Sequence, residues 1–244
     1  MRHLRVLGLA RRRGGSVNLT ANRTTREAYD RWAAQYPPIP HNPLMRAEQL
    51  AMLAHWPAVR DLNVLDLACG SGRYTQILLD DGAAGVVAAD FSAAMLERVS
   101  TPNRACVRVR ADMMRLPFPD RCFDAVICGL AVGHASSILD WTRECARILR
   151  PQGRLLYSDF HPQAAQAGLT RSFTDDTGAK IVLKHVHHAV AAQTAALAQA
   201  GLRGEALEEV RVGFEFTERF ADCEEFYRRW HGLPLLLIVR AVKS

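Results

Sequence analysis

The 244-residue chain has no apolar run that approaches the roughly 20 residues a membrane-spanning helix needs; its longest, Leu233 to Val239, has the length of a strand. A helical membrane span is therefore not expected. Cysteine pairing is also missing. Cys69, Cys106, Cys122, Cys128, Cys145 and Cys223 are scattered, form no C-x-x-C pair and have no histidine at zinc spacing, which argues against a disulfide framework and a zinc cluster. Thiols placed singly in apolar runs behave as small hydrophobes and suit a reducing cytoplasm. No internal repeat and no low-complexity tract is found. Acids are absent from residues 1–26, which carry seven arginines. Without those seven, 24 of the 31 lysines and arginines face 25 acids, so the excess charge of +6 belongs to the leading segment. The remaining body is near neutral, and a phosphate-tracking nucleic-acid surface is not implied.

What is present reads as one α/β domain. Residues 1–24 are expected to be a basic arm without fixed structure, the alternative being an organellar transit peptide. Residues 25–244 form the domain, beginning with two helices within 25–60. Ala28, Trp32 and Tyr36 recur four apart in the first, Thr25 to Tyr36, which stops at Pro37-Pro38-Ile39-Pro40; the second spans Met45 to His55. Short β-branched runs then alternate with amphipathic segments, the pattern of βαβ units around a parallel sheet. Strands are expected at Asn63–Ala68, Gly85–Asp90, Cys106–Ala111, Phe123–Cys128 and Arg154–Phe160, with helices at Tyr74–Asp81, Ala93–Ser100 and Ile138–Leu149. The last helix has an apolar stripe at Ile138, Trp141, Cys145, Ile148 and Leu149. A hairpin insertion within 163–188 pairs Leu169–Thr174 with Lys180–Val186 through Asp175-Asp176-Thr177-Gly178. A helix at Ala189–Ala200 ends at Gly201, and a strand at Ala206–Val212, a helix at Asp222–Trp230 and a strand at Leu235–Val242 close the chain.

Chemistry concentrates at the first strand. Asp66 lies at its carboxyl end and is followed by Ala68-Cys69-Gly70-Ser71-Gly72 and a helix. Such a loop lets backbone amides approach a ligand, and the helix start presents free N–H groups. The second strand ends in Asp90, about twenty residues on, where a carboxylate can accept both hydroxyls of a ribose. Together these features indicate an adenosine-containing ligand. The nicotinamide fingerprint G-x-G-x-x-G is not completed by Gly70-Ser71-Gly72-Arg73-Tyr74-Thr75, which lacks the third glycine. An acid before the turn also suits the ammonium of a methionine moiety better than a pyrophosphate.

With VLDLACGSGRYT, DFSAAML and RLPFPDRCFDAVIC in order from Asn63 to Phe160, the chain resembles the class I S-adenosylmethionine-dependent methyltransferases, in particular the small-molecule, methyltransferase type 11-like group. The resemblance implies a Rossmann-like, doubly wound sheet of seven mostly parallel strands with an antiparallel last strand, covered by N-terminal lid helices. It implies that Asp66 holds the amino group of S-adenosyl-L-methionine and that Gly70 and Gly72 give close backbone approach. Ala68 replaces the family's first glycine. Asp90 would bind the ribose, Phe91 and Met95 the adenine side, and Asp112 the adenine amine with Met113 stacking nearby. Cys128, Gly129 and Leu130 would floor the sulfonium, and Tyr36 with Tyr29 would belong to the lid. Singly, Asp90 could be a helix cap, Met95 core and Asp112 a turn acid; their joint occurrence at strand ends favours a ligand site.

On the acceptor side, His161 directly after the fifth strand is the first choice as general base. His134, after the fourth strand, is a second base or a cofactor contact. Tyr29, Phe173 and His188 are substrate-side candidates, the last two from the hairpin that would cap the site. His185 and His187 share a face of an extended segment, but no carboxylate or thiol stands at ligand spacing, so no metal is expected. The Asn/Asp-Pro-Pro-aromatic tetrapeptide of amino-directed DNA methyltransferases is missing, since Cys128-Gly129-Leu130-Ala131 follows the fourth strand. The expected activity is methyl transfer to an O, N or C nucleophile of a small molecule, by a cytoplasmic monomer or homodimer with neither nucleic-acid nor membrane partner. The alternatives are a non-catalytic cofactor-binding scaffold and, further off, a nicotinamide-dependent oxidoreductase.

Overall fold

Period-two alternation sorts the strand residues to the two faces of one sheet in the computed structural model, which describes residues 25–100, 105–174, 178–213 and 223–244. The strands are β1 (Asn63–Leu67), β2 (Gly85–Asp90), β3 (Cys106–Arg110), β4 (Phe123–Cys128), β5 (Leu149–Phe160), β8 (Leu202–Arg211) and β9 (Pro234–Lys243). They lie in the order β3-β2-β1-β4-β5-β9-β8. The first five are parallel, and β9 runs antiparallel between β5 and β8. This is the expected seven-stranded sheet with a reversed last strand. Leu65, Leu67, Val126, Cys128, Leu155 and Tyr157 face α5 (Ile138–Ile148) and α7 (Val190–Gln199). Val64, Ala125, Ile127 and Leu156 face α2 (Pro43–Ala54) and α3 (Arg73–Asp80). A separate antiparallel pair, β6 (Ser172–Thr174) with β7 (Lys180–Val182), forms the insertion.

Local chemistry sets the helix boundaries. Asn42 caps α2 by accepting the Met45 amide at 2.8 Å, with Pro43 in the first turn, so the helix begins two residues before its apolar pattern does. Ser137 caps α5 in the same way, and the stripe at Ile138, Trp141, Cys145 and Ile148 is buried as its spacing predicts. The leading helix, α1 (Thr25–Trp32), tightens into a 3₁₀ turn at Ala33–Gln35 before the prolines. Ser92 caps α4 (Ala93–Glu97), which ends three residues before its expected limit.

Two strands start earlier than expected. Pro151-Gln152-Gly153 does not interrupt β5, because Gln152 takes φ of 64° and the register with β4 shifts between Phe123 and Ala125. β8 begins at Leu202 through a similar shift at Gly204. A short helix, α6 (Pro162–Gln166), was not expected; Pro162 occupies its first turn and His161 caps it. The helix expected from Asp222 is seen as α8 (Cys223–Trp230), while Asp222, the hairpin residues 175–177 and the arm 1–24 lie outside the described residues. Among the described residues, no helix is long and apolar enough to cross a membrane.

Candidate active site

A cavity of about 300 Å³ opens at the carboxyl ends of β1 to β4, where parallel sheets receive ligands. β1 alternates Val64 and Asp66 onto the α3 face. Asp66 is therefore buried beneath α3, and its Oδ2 accepts the Thr75 hydroxyl at 2.6 Å. Burial raises its pKa to about 7, against the lowering effect of the Thr75 bonds. Asp90 ends β2 and ties two turns together. Its Oδ2 accepts the Gly70 amide at 2.9 Å and its Oδ1 the Ser92 amide at 2.8 Å, while burial moves its pKa upward. Asp112 follows β3, and its Oδ1 accepts the Met114 amide at 2.9 Å. Each carboxylate keeps lone pairs beyond these bonds, so all three can still accept from a ligand. Ala68 holds φ of 55°, a left-handed conformation that a glycine enters without steric cost.

Of the residues singled out from sequence, Asp66, Ala68, Gly70, Asp90, Phe91, Met95, Asp112 and Met113 line this cavity, joined by Tyr29, Tyr36 and His134. Six others stand elsewhere. Gly72 opens α3 and packs on Val99, which would lie 3.1 Å from an added Cβ. Cys128 points into the core beside Tyr157 and Cys145. Leu130, at φ of 54°, gives its amide to Ser158 and packs with Phe160 and Trp230. The neighbours of these two, Gly129 and Ala131, face the cavity instead. His161 is turned away from it: its Nδ1 accepts the Gln163 amide at 3.2 Å and its Nε2 lies 3.2 Å from Glu209 on β8. Phe173 stacks on Trp32 with centroids 4.5 Å apart, and His188 contacts the Ala135 carbonyl at 3.1 Å; both support the walls from behind.

The leading helix closes the cavity through three separate contacts. Ser92 Oγ donates to Asp30 at 2.5 Å, the Tyr29 hydroxyl and His134 Nε2 share a hydrogen bond of 2.8 Å, and Trp32 rests on Phe173. Burial, then the Arg171 charge, lowers the His134 pKa to about 2, so its imidazole is neutral. An imidazole of that acidity is a hydrogen-bond partner and a poor proton acceptor. Burial likewise raises the Tyr29 phenol, which stays protonated.

Two features were not legible in the sequence. Glu48, fully buried on α2, takes Arg73 Nη2 at 2.6 Å, the Tyr74 hydroxyl at 2.8 Å and the Ser158 hydroxyl at 2.5 Å, locking the lid to α3 and β5. Arg171, from the insertion, enters the cavity wall. Both residues look like surface charges by their sequence neighbours, and no spacing signal could have found them. His185 also meets a partner the sequence did not place beside it, since Asp159 of β5 comes within 3.2 Å of its Nε2. Among the described residues, no group of three or more His, Cys, Asp or Glu could hold a metal ion.

A profile of the methyltransferase domain family matches residues 65–157. A malonyl-acyl-carrier-protein O-methyltransferase from Enterobacter lignolyticus is 34% identical over 179 residues, which cover 71% of this chain and 67% of that protein. A demethylmenaquinone methyltransferase from Mycobacterium tuberculosis is 42% identical over 97 residues, 40% of each chain, so this chain spans less than half of that relative. Among solved structures, an S-adenosylmethionine-dependent methyltransferase from Mesorhizobium loti superposes with a TM-score of 0.67 at 25% identity, over 81% of this chain and 98% of that one.

Proposed function

Because this chain belongs to the S-adenosylmethionine-dependent methyltransferases, we propose that its cavity seats S-adenosyl-L-methionine across β1 to β3 and presents the methyl group to a small-molecule acceptor beside Tyr29 and His134. The observation that carries this reading is the row of three carboxylates, Asp66, Asp90 and Asp112, at the ends of three adjacent strands on one cavity wall. The donor set fits the group. Asp66 faces where an ammonium is wanted, Asp90 can accept a ribose diol, and Asp112 can accept an exocyclic amine. Phe91, Met95 and Met113 supply an apolar bed for a purine. When bound, the cofactor supplies an electrophilic methyl on a sulfonium.

The chain's own contribution is positioning. Tyr29 and His134 are held by each other and by the docked lid, so the acceptor meets a prearranged wall; effective molarities put such ordering at about 7–11 kcal/mol of barrier. The withdrawn place of His161 and the low basicity of His134 favour a mechanism with neither as general base. A small-molecule acceptor is in keeping with the relatives, a demethylmenaquinone methyltransferase and an O-methyltransferase of malonyl-acyl-carrier protein.

Two measurements test the reading. Calorimetry should detect S-adenosylhomocysteine binding, weakened about tenfold or more in Asp90→Ala, since a hydrogen bond to a charged group is worth roughly 1.5–3 kcal/mol. Unchanged affinity in that variant, or tight binding of NADH instead, would refute the seating. Incubation with methyl-labelled cofactor and a cell extract should label a small-molecule fraction; a protein that binds the cofactor and labels nothing would be a scaffold.

A further inference from the structure

Arg171 lies in the segment between α6 and β6, and its position is fixed from both sides. Its carbonyl accepts the Leu183 amide at 2.9 Å, while its guanidinium donates to the Leu130 carbonyl and lies 5.5 Å over the Phe160 ring and 5.9 Å over the Tyr29 ring. Arg171 is also one of the residues that line the cavity. Arg73, the other arginine deep in this wall, is neutralised by Glu48 at 2.6 Å. Arg171 forms no ion pair among the described residues. The buried acid of the region, Asp159, has its carboxylate 3.2 Å from His185 instead. Arg171 is half-buried, and the Leu130 carbonyl, a hydrogen bond with Tyr29 and two ring faces offset only part of the cost of withdrawing its charge from water where no counter-ion stands among the described residues. Its remaining N–H donors form a rigid fork that matches the two oxygens of a carboxylate.

We infer that Arg171 is the receptor for a carboxylate of the methyl acceptor, an inference that rests on the function proposed above. Two carboxylates meet in such a site, the acceptor's and the one at the methionine end of the cofactor, and the topology separates them. Leu130 follows β4 and Phe160 ends β5, whereas Asp90 ends β2 and Asp112 follows β3. With about 4.8 Å between neighbouring strands, Phe160 lies three strands, or about 14 Å, from Asp90. The amino group assigned to Asp66 sits over β1, between the two. Arg171, bonded at Leu130 after β4 and lying over Phe160 at the end of β5, therefore stands on the side of Asp66 away from Asp90, beside Tyr29 and His134. An organic acid also arrives there ionised at neutral pH, so its recognition asks no base of the wall.

The test uses the full chain and its Arg171→Gln and Arg171→Lys variants, first titrated with S-adenosylhomocysteine and then, saturated with it, with glutarate, benzoate and the corresponding amides. S-adenosylhomocysteine should bind all three proteins within about threefold. At least one acid should bind the wild-type protein about tenfold more tightly than its amide, a difference of about 1.4 kcal/mol. That preference should vanish in Arg171→Gln and survive in part in Arg171→Lys. If Arg171→Gln instead loses S-adenosylhomocysteine about tenfold while 5′-methylthioadenosine, which lacks the aminocarboxylate, binds undiminished, Arg171 serves the cofactor and the inference is overturned. Acids that bind no better than their amides, or do not bind at all, overturn it as well. Failure of the wild-type protein to bind S-adenosylhomocysteine would instead strike the methyltransferase seating on which the inference rests.

Discussion

Replacing Asp66 by asparagine removes a carboxyl group whose ionisation burial opposes, so the variant should gain on the wild-type protein as pH rises. The folded pKa is about 7 and the unfolded one 3.8. Between those values the folded chain holds a proton that the unfolded chain has released, so the wild-type protein loses stability with increasing pH across this window. At 1.36 kcal/mol per unit, the loss between pH 5 and pH 8 is roughly 2–3 kcal/mol, levelling off above pH 7. The wild-type curve alone does not display this slope. His134, with its pKa lowered to about 2, costs stability in the opposite direction as pH falls below the ordinary histidine value of 6.5. That contribution is common to both proteins and cancels in the difference. Urea denaturation of wild-type and Asp66→Asn protein at pH 5, 6, 7 and 8 measures the difference directly. Asparagine can still accept the Thr75 hydroxyl, so the packing is preserved. A difference that is flat with pH, or that favours the wild-type protein as pH rises, would refute a raised Asp66 pKa.

Three further outcomes are expected. Tyr29→Phe, which deletes the hydroxyl shared with His134, should slow methyl transfer roughly tenfold, about one hydrogen bond's worth, while S-adenosylhomocysteine binds as before in calorimetry. His161→Ala should lose about 1 kcal/mol of stability with the cap of α6, and steady-state kinetics should show an unaltered pH profile; a vanished limb would restore a base role. Gly133→Ala would place a Cβ 2.0 Å from the His185 ring, forcing that ring away from Asp159, and should cost about 1–3 kcal/mol in urea melts.

The carboxylate-bearing wall of the cavity was legible because its determinants are local. A strand end, a tight turn and a carboxylate follow one another within a few residues, and the same unit recurs at Asp66, Asp90 and Asp112. Misplacements arose where a one-residue change of direction decides the face. After β4 the chain turns at Leu130 with positive φ, so Gly129 and Ala131 reach the cavity while Cys128 and Leu130 point into packing. His161 misled in the same way, because the proline after it starts a helix that uses the imidazole as its cap.

The sequence by itself determined the sheet, its order of strands and helices, and the three acids at its edge, since period-two and period-3.6 patterns and turn chemistry act over short stretches. Only the tertiary structure decided which charges are neutralised. Glu48 meets Arg73 across 25 residues, Asp159 meets His185 across 26, and Arg171 enters the cavity wall with no ion-pair partner among the described residues. Pairing of that kind depends on where helices and the insertion dock, which is set by the shape of the whole core rather than by any local pattern.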